Sequence, residues 1–157
     1  MLITHCAVAL TILTAGTNIP GEEFAGARAI AMGQANRAFA LDNAAIFLNP
    51  AGMAMAKRYS IDVTYMHRFD DNIAYPSFSL VDSKTTALSA GIAYTFERAV
   101  GGKLSNHHVY LSLAYPLGNI AAISITTKYM RGGGSGIDDF NAFTGDVGAV
   151  VIPIGGL

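Results

Sequence analysis

The chain is poor in charge, cysteine and tryptophan. Asp, Glu, Lys and Arg together make 13% of its 157 residues, about half the usual fraction. Ten basic residues stand against eleven acidic ones, for a net charge of −1. No basic patch of the kind that holds nucleic acid follows from that balance. The single cysteine, Cys6, excludes an internal disulfide and a cysteine-based zinc site. Long apolar runs are also scarce. The one exception is LITHCAVALTILTA, residues 2–15, which is shorter than the ~20 residues of a membrane-crossing helix.

That run suits the apolar region of a secretory signal, with Thr14-Ala15-Gly16 as small residues for cleavage. No Lys or Arg precedes Arg28, so the usual positive start is missing. The expectation is a signal over residues 1–18; the competing reading is a buried N-terminal strand or helix. His5 before Cys6 argues against a lipid-modified cysteine.

What the chain does have is apolar surface (52% hydrophobic residues) and 17 glycines. Residues 19–57 hold a loop and then an Ala-rich stretch of short helices. Asp42 and Asn43 are placed to cap a helix over residues 44–48, and Pro50 and Gly52 are expected to end it. From residue 58 the period becomes two. In RYSIDVTYMHRF, Tyr59, Ile61, Val63, Tyr65, His67 and Phe69 share one face. Arg58, Ser60, Asp62, Thr64, Met66 and Arg68 share the other. The pattern returns over residues 73–82, 86–97, 107–115, 120–130 and 143–152. Pro76 weakens the second of these strands, because proline has no N–H for a ladder.

Six strands of about 10 residues match transmembrane barrel strands of ~9–11 better than ordinary ones of ~5–6. Aromatic residues fall near strand ends on the apolar face: Tyr59, Phe69, Tyr94, Phe96, Tyr115, Tyr129 and Phe143. Connections are expected to be short near Asp82–Lys84 and Pro116–Asn119, and long over residues 98–106 and 131–142. In a barrel the apolar face meets lipid, and Asp62, Arg68, Lys128 and Asp146 face the lumen. In a soluble sandwich the apolar face is buried instead. Periodicity alone does not separate the two; low charge, strand length and the signal favour the barrel.

The stretch GARAIAMGQANRAFALDNAAIFLNPAGM, residues 26–53, resembles the N-terminal signature of the FadL/PorV-like outer-membrane barrel superfamily. Gly26, Arg28, Gly33, Asp42, Asn49, Pro50 and Gly52 fall in register with it. Asn36, Arg37 and Leu41 depart from it. The resemblance implies an all-β fold with a short helical N-terminal segment. Residues 58–157 would be an antiparallel meander of about six strands, part of a transmembrane β-barrel in the bacterial outer membrane. Residues 19–57 would form a hatch inside it. Six strands are fewer than such barrels carry, so the chain is expected to be an N-terminal fragment; a small barrel assembled from several chains is the alternative.

The resemblance further implies a transport protein for passive uptake of hydrophobic compounds such as long-chain fatty acids. Its partners would be outer-membrane lipid and a hydrophobic small molecule. PorV-like members instead serve as partners of secretion-machinery proteins.

Chemistry is not expected. His107 and His108 are strand neighbours and point to opposite faces, so they cannot jointly hold a metal. The Gly-rich 132–136 segment lacks the Lys of a phosphate loop and the spacing of a calcium loop. No nucleophile-elbow motif is present. We therefore expect no enzyme activity, no cofactor and no metal. Arg28 and Arg37 need partners if buried, with Asp42 the structural candidate and Asp62 or Asp146 the lumenal ones.

Overall fold

The computed structural model describes residues 8–13, 40–70, 72–99, 101, 104–135 and 137–152. Seven strands form one sheet: β1 Val8–Leu13, β2 Tyr59–Arg68, β3 Ile73–Asp82, β4 Ser89–Ala99, β5 Ser105–Leu117, β6 Ala121–Gly134 and β7 Ile137–Val151. Their order is β1-β7-β6-β5-β4-β3-β2, and every pair is antiparallel. The six strands β2 to β7 are a meander, as the period-two pattern predicts. The seventh, β1, lies within the stretch read as an export signal and pairs with β7 from Val8↔Val151 to Leu13↔Asp146.

Connections 83–88 and 118–120 lie at one end of the sheet, called the near end. The hairpins β2–β3, β4–β5 and β6–β7 turn at the far end. Of the long far-end loops expected over 98–106 and 131–142, the first is shortened and the second is mostly strand. β4 runs on to Ala99, β5 starts at Ser105, and β6 and β7 reach 14 and 15 residues. Composition read RGGGSGIDDFNA as loop, but cross-strand partners such as Arg131↔Asn141 and Gly132↔Phe140 complete its backbone hydrogen bonds, which overrides local propensity. A register shift between Gly132 and Gly134 absorbs the irregularity. At Pro76 the expected weakness is visible on one side only. The register with β2 passes through Tyr65↔Pro76, whereas the register with β4 skips from Ala74↔Arg98 to Ser77↔Thr95.

Two short helices precede the meander: α1 Ala45–Leu48 and α2 Ala51–Ala56. The expected capping by Asp42 and Asn43 is corrected: Ala44 is the N-cap of α1 and no side chain caps it, while Asp42 closes the preceding turn, accepting from the Ala44 amide at Oδ1 (3.1 Å) and from the Ala45 amide at its carbonyl (2.9 Å). The helix over 44–48 ends before Pro50 as expected, but Gly52 takes no part in ending it, and a second helix follows. Asn49, held extended at φ −161° and ψ 95° by the proline that follows it, ends α1. Pro50, at φ −61°, opens α2, a position that its ring favours. Gly52 lies inside α2, where a Cβ would sit 1.9 Å from the Ala40 carbonyl oxygen. It is needed for close approach, not for stopping a helix. Lys57, at φ 40°, ends α2.

The helices lie across one face of the sheet, with α2 against β5 and β6. Ile46, Phe47, Leu48, Met53 and Ala54 are buried there, against Val81, Ala93, Tyr110, Ala114 and Val150 of the sheet.

Candidate functional site

The alternation of the strands sorts their side chains onto two faces, one covered by the helices and one open. The face beneath the helices carries serines, threonines, alanines and glycines among a few larger side chains such as Val81, Tyr110 and Val150, and these are buried. Ser112 is 0% exposed, Ser89 and Thr126 1%, and Ser79 2%. The other face is apolar and open: Val63 is 76% exposed, Phe143 72%, Tyr65 69% and Ile125 53%. Ile61, Ile92, Leu111 and Leu113 are exposed in the same way.

The polar face divides along the strands. Toward the near end, small side chains let the helices approach. At Gly91 a Cβ would meet Met53 Sδ at 2.8 Å and Ile46 Cγ1 at 2.9 Å. At Gly148 it would meet Asn49 Oδ1 and Ser124 Oγ, both at 2.7 Å. Two asparagines pin the segment. Asn43 donates through Nδ2 to the Ser79 carbonyl (3.2 Å) and hydroxyl (3.0 Å), and accepts from Ser60 Oγ at Oδ1. Asn49 donates to the Ala149 carbonyl at 3.0 Å and accepts from the Ala51 amide at 3.3 Å. The Phe47 ring meets Tyr110 edge-on, with centroids 5.1 Å apart.

Toward the far end the same face carries charge. Lys128 Nζ lies 2.6 Å from Asp146 Oδ2, both side chains largely buried, and 5.8 Å from the Tyr110 ring centroid. Two strands over and farther toward the same end, buried Glu97 accepts from Tyr75 Oη (3.1 Å) and Asn106 Nδ2 (2.8 Å), with His108 Nε2 4.0 Å away. Arg68 lies over the Tyr75 ring at 5.6 Å. Burying these charges is tolerable because each has an opposite charge, ring or polar partner.

Of the lumen-side residues named from sequence, Lys128 and Asp146 come together, and Arg68 borders the Glu97 cluster. Asp62 stands apart. It lies opposite buried Ser79 in register, yet is exposed and accepts from Thr64 Oγ1 at 2.7 Å, because the helices do not cover β2, the last strand of the sheet. Asn49, Pro50 and Gly52 join the packed segment. Gly26, Arg28, Gly33 and the Arg28 and Arg37 pairings fall outside the described residues. Sequence reasoning missed Asn43 as an anchor and Glu97 as a network centre. The signal for Glu97 was its parity, since it follows Ser89, Gly91, Ala93 and Thr95 on the small face.

The two adjacent histidines do part to opposite faces. His108 joins the Glu97 cluster, while His107 stacks on Phe96 at 4.7 Å on the apolar side and shares a 2.7 Å hydrogen bond with Tyr94 Oη. Aromatic residues on that side form a lateral row through the register Phe78↔Tyr94↔Val109↔Tyr129↔Phe143.

No group of three or more His, Cys, Asp or Glu placed to hold a metal occurs among the described residues. No helix among them is long and apolar enough to cross a membrane, a test that does not bear on strands. Comparison with protein-family models, curated proteins and solved structures finds no match.

Proposed function

We propose that this chain is the wall and hatch of an outer-membrane β-barrel that passes hydrophobic compounds such as long-chain fatty acids. The observation that carries the reading is the inverted burial. Ser79, Ser89, Ser112, Thr126 and an ion pair are covered, while Ile61, Ile92, Leu111 and Tyr65 are open. Water would penalise that arrangement by about 25 cal/mol for each Å² of apolar surface left exposed. Lipid imposes no such penalty, and barrel strands alternate apolar-out and polar-in. From Val109 to Leu117 the open face spans eight residue steps, about 26 Å of strand. A tilt of about 40° turns that into about 20 Å of height, close to the ~25 Å apolar band of such barrels.

In this reading α1 and α2 belong to the hatch, and the charged half of the polar face lines the lumen beyond it. Passage requires the hatch to shift or the wall to part, and the skipped register at Tyr75 and Pro76 is the weak seam between β3 and β4.

Cell fractionation tests the location: the protein is expected with the outer membrane and needs detergent for extraction. Uptake of a labelled fatty acid, with and without the gene, tests the activity; uptake that does not depend on the gene overturns it. Affinity capture that returns secretion-machinery subunits, without any uptake, favours the PorV-like role.

A further inference from the structure

We infer that a cleft at the far end of the apolar face binds the phosphoethanolamine headgroup of a membrane lipid. This rests on the membrane reading above and adds a ligand that neither transport nor secretion requires.

The cleft has a volume of about 450 Å³ and is lined by Ser105, His107, Arg131, glycines 132–134 and Asp139. That size falls in the range of small-molecule sites, roughly 300–1,000 Å³. It lies directly beyond the aromatic row. Tyr94, Val109 and Tyr129 pair across β4, β5 and β6, and the next pair outward on that face is His107↔Arg131. In a barrel, an aromatic row of this kind marks headgroup depth.

The floor of the cleft is backbone, because β6 has no side chains at residues 132–134. A Cβ on Gly133 would stand 2.1 Å from Asp139 Oδ1, so the bare glycine gives that carboxylate its place. One wall is fixed: the His107 ring is held by Tyr94 Oη and stacked on Phe96. The remaining walls are a guanidinium and a carboxylate. Arg131 and Asp139 are both exposed, and among the described residues no ion pair or hydrogen bond occupies either side chain.

Two uncommitted charges of opposite sign across one small cleft suit a zwitterion. Guanidinium matches phosphate with two parallel N–H donors, and a carboxylate accepts from a primary ammonium. Phosphocholine offers the same charges but no N–H to Asp139. Phosphoglycerol offers the phosphate but no cation.

The test uses the full chain in detergent micelles doped with phosphatidylethanolamine, phosphatidylcholine or phosphatidylglycerol, with bound lipid counted by native mass spectrometry. Phosphatidylethanolamine is expected to be retained about tenfold more than the other two, the span of one charge-assisted hydrogen bond. Arg131→Gln should lower retention of all three lipids. Asp139→Asn should remove the preference for phosphatidylethanolamine over phosphatidylglycerol. Both side chains are exposed, so neither change threatens the fold.

Equal retention of the three lipids, or variants that behave like the parent, overturns the site. Tight binding of soluble phosphoethanolamine in the absence of lipid overturns the lipid source. A chain that stays dispersed without detergent, and retains no lipid of any kind, overturns the membrane reading and the site together. A chain that needs detergent but shows no preference overturns the site alone.

Discussion

The two faces of this sheet are built from the same strands, residue by alternate residue, yet they follow different rules. On the polar face, closeness matters: glycine, alanine and serine leave room for backbone and helix, and hydrogen bonds by Asn43 and Asn49 set position. On the apolar face, bulk matters and fit does not, since Val63, Tyr65 and Phe143 touch little. Here the bulk is outside, so most of the apolar surface does not hold the described residues together. Cohesion comes from strand pairing, from the helical segment, and from a few charged contacts at the far end.

Breaking the contrast on the apolar side has the largest expected effect. Leu111→Arg replaces a 52% exposed residue within the aliphatic row Ile61↔Leu80↔Ile92↔Leu111. In a bilayer it should cost about 2–4 kcal/mol, and in water within about 0.5 kcal/mol. Urea unfolding from vesicles reads the difference. On the polar side, Lys128→Met leaves Asp146 without its ion-pair partner. We expect a loss of about 2–3 kcal/mol, below the 3–5 of a fully buried pair, because Asp146 keeps 19% side-chain exposure. The double change Lys128→Met with Asp146→Leu should recover most of it.

Gly91→Val tests closeness. Its side chain would enter the space of Met53 and Ile46, costing about 1–3 kcal/mol by overpacking, and protease should then cut residues 40–57 sooner. The smallest effect is Asn49→Ala, which removes the bond to the Ala149 carbonyl and should cost about 1 kcal/mol. The same change on the outer face, Leu113→Ala, should leave the helical segment equally protected.

The faces were legible in the sequence because a period of two survives any error in strand ends. Lys128 and Asp146 could be assigned to one side without knowing that they touch; their pairing needs the register of β6 and β7. What was not legible depended on partners. Residues 131–142 look like loop until β5 and β7 are seen to supply cross-strand bonds. Pro50 carries both a stop and a start signal, and only the extended Asn49 before it separates α1 from α2. Asp62 has the right parity but sits on β2, beyond the reach of the helices, so its exposure could not be read from its neighbours in the chain. Glu97 stood at a predicted strand end, and the extension of β4 to Ala99 brought it into the sheet.

The bond from Asn49 to the Ala149 carbonyl spans 100 residues, while each strand from β2 to β6 pairs with its immediate successor. Hairpins close short loops and form early; contacts between distant positions wait. The helical segment precedes β2; its Asn43 anchor lies on β3, whereas its Asn49 anchor lies on β7. The topology therefore predicts an order of assembly, in which the hairpins form before Asn49 reaches its partner on β7. Pulsed hydrogen exchange during refolding should show protection at β3 and β4 before protection at the Ala51 amide; simultaneous protection would mean that the segment and the sheet form as one.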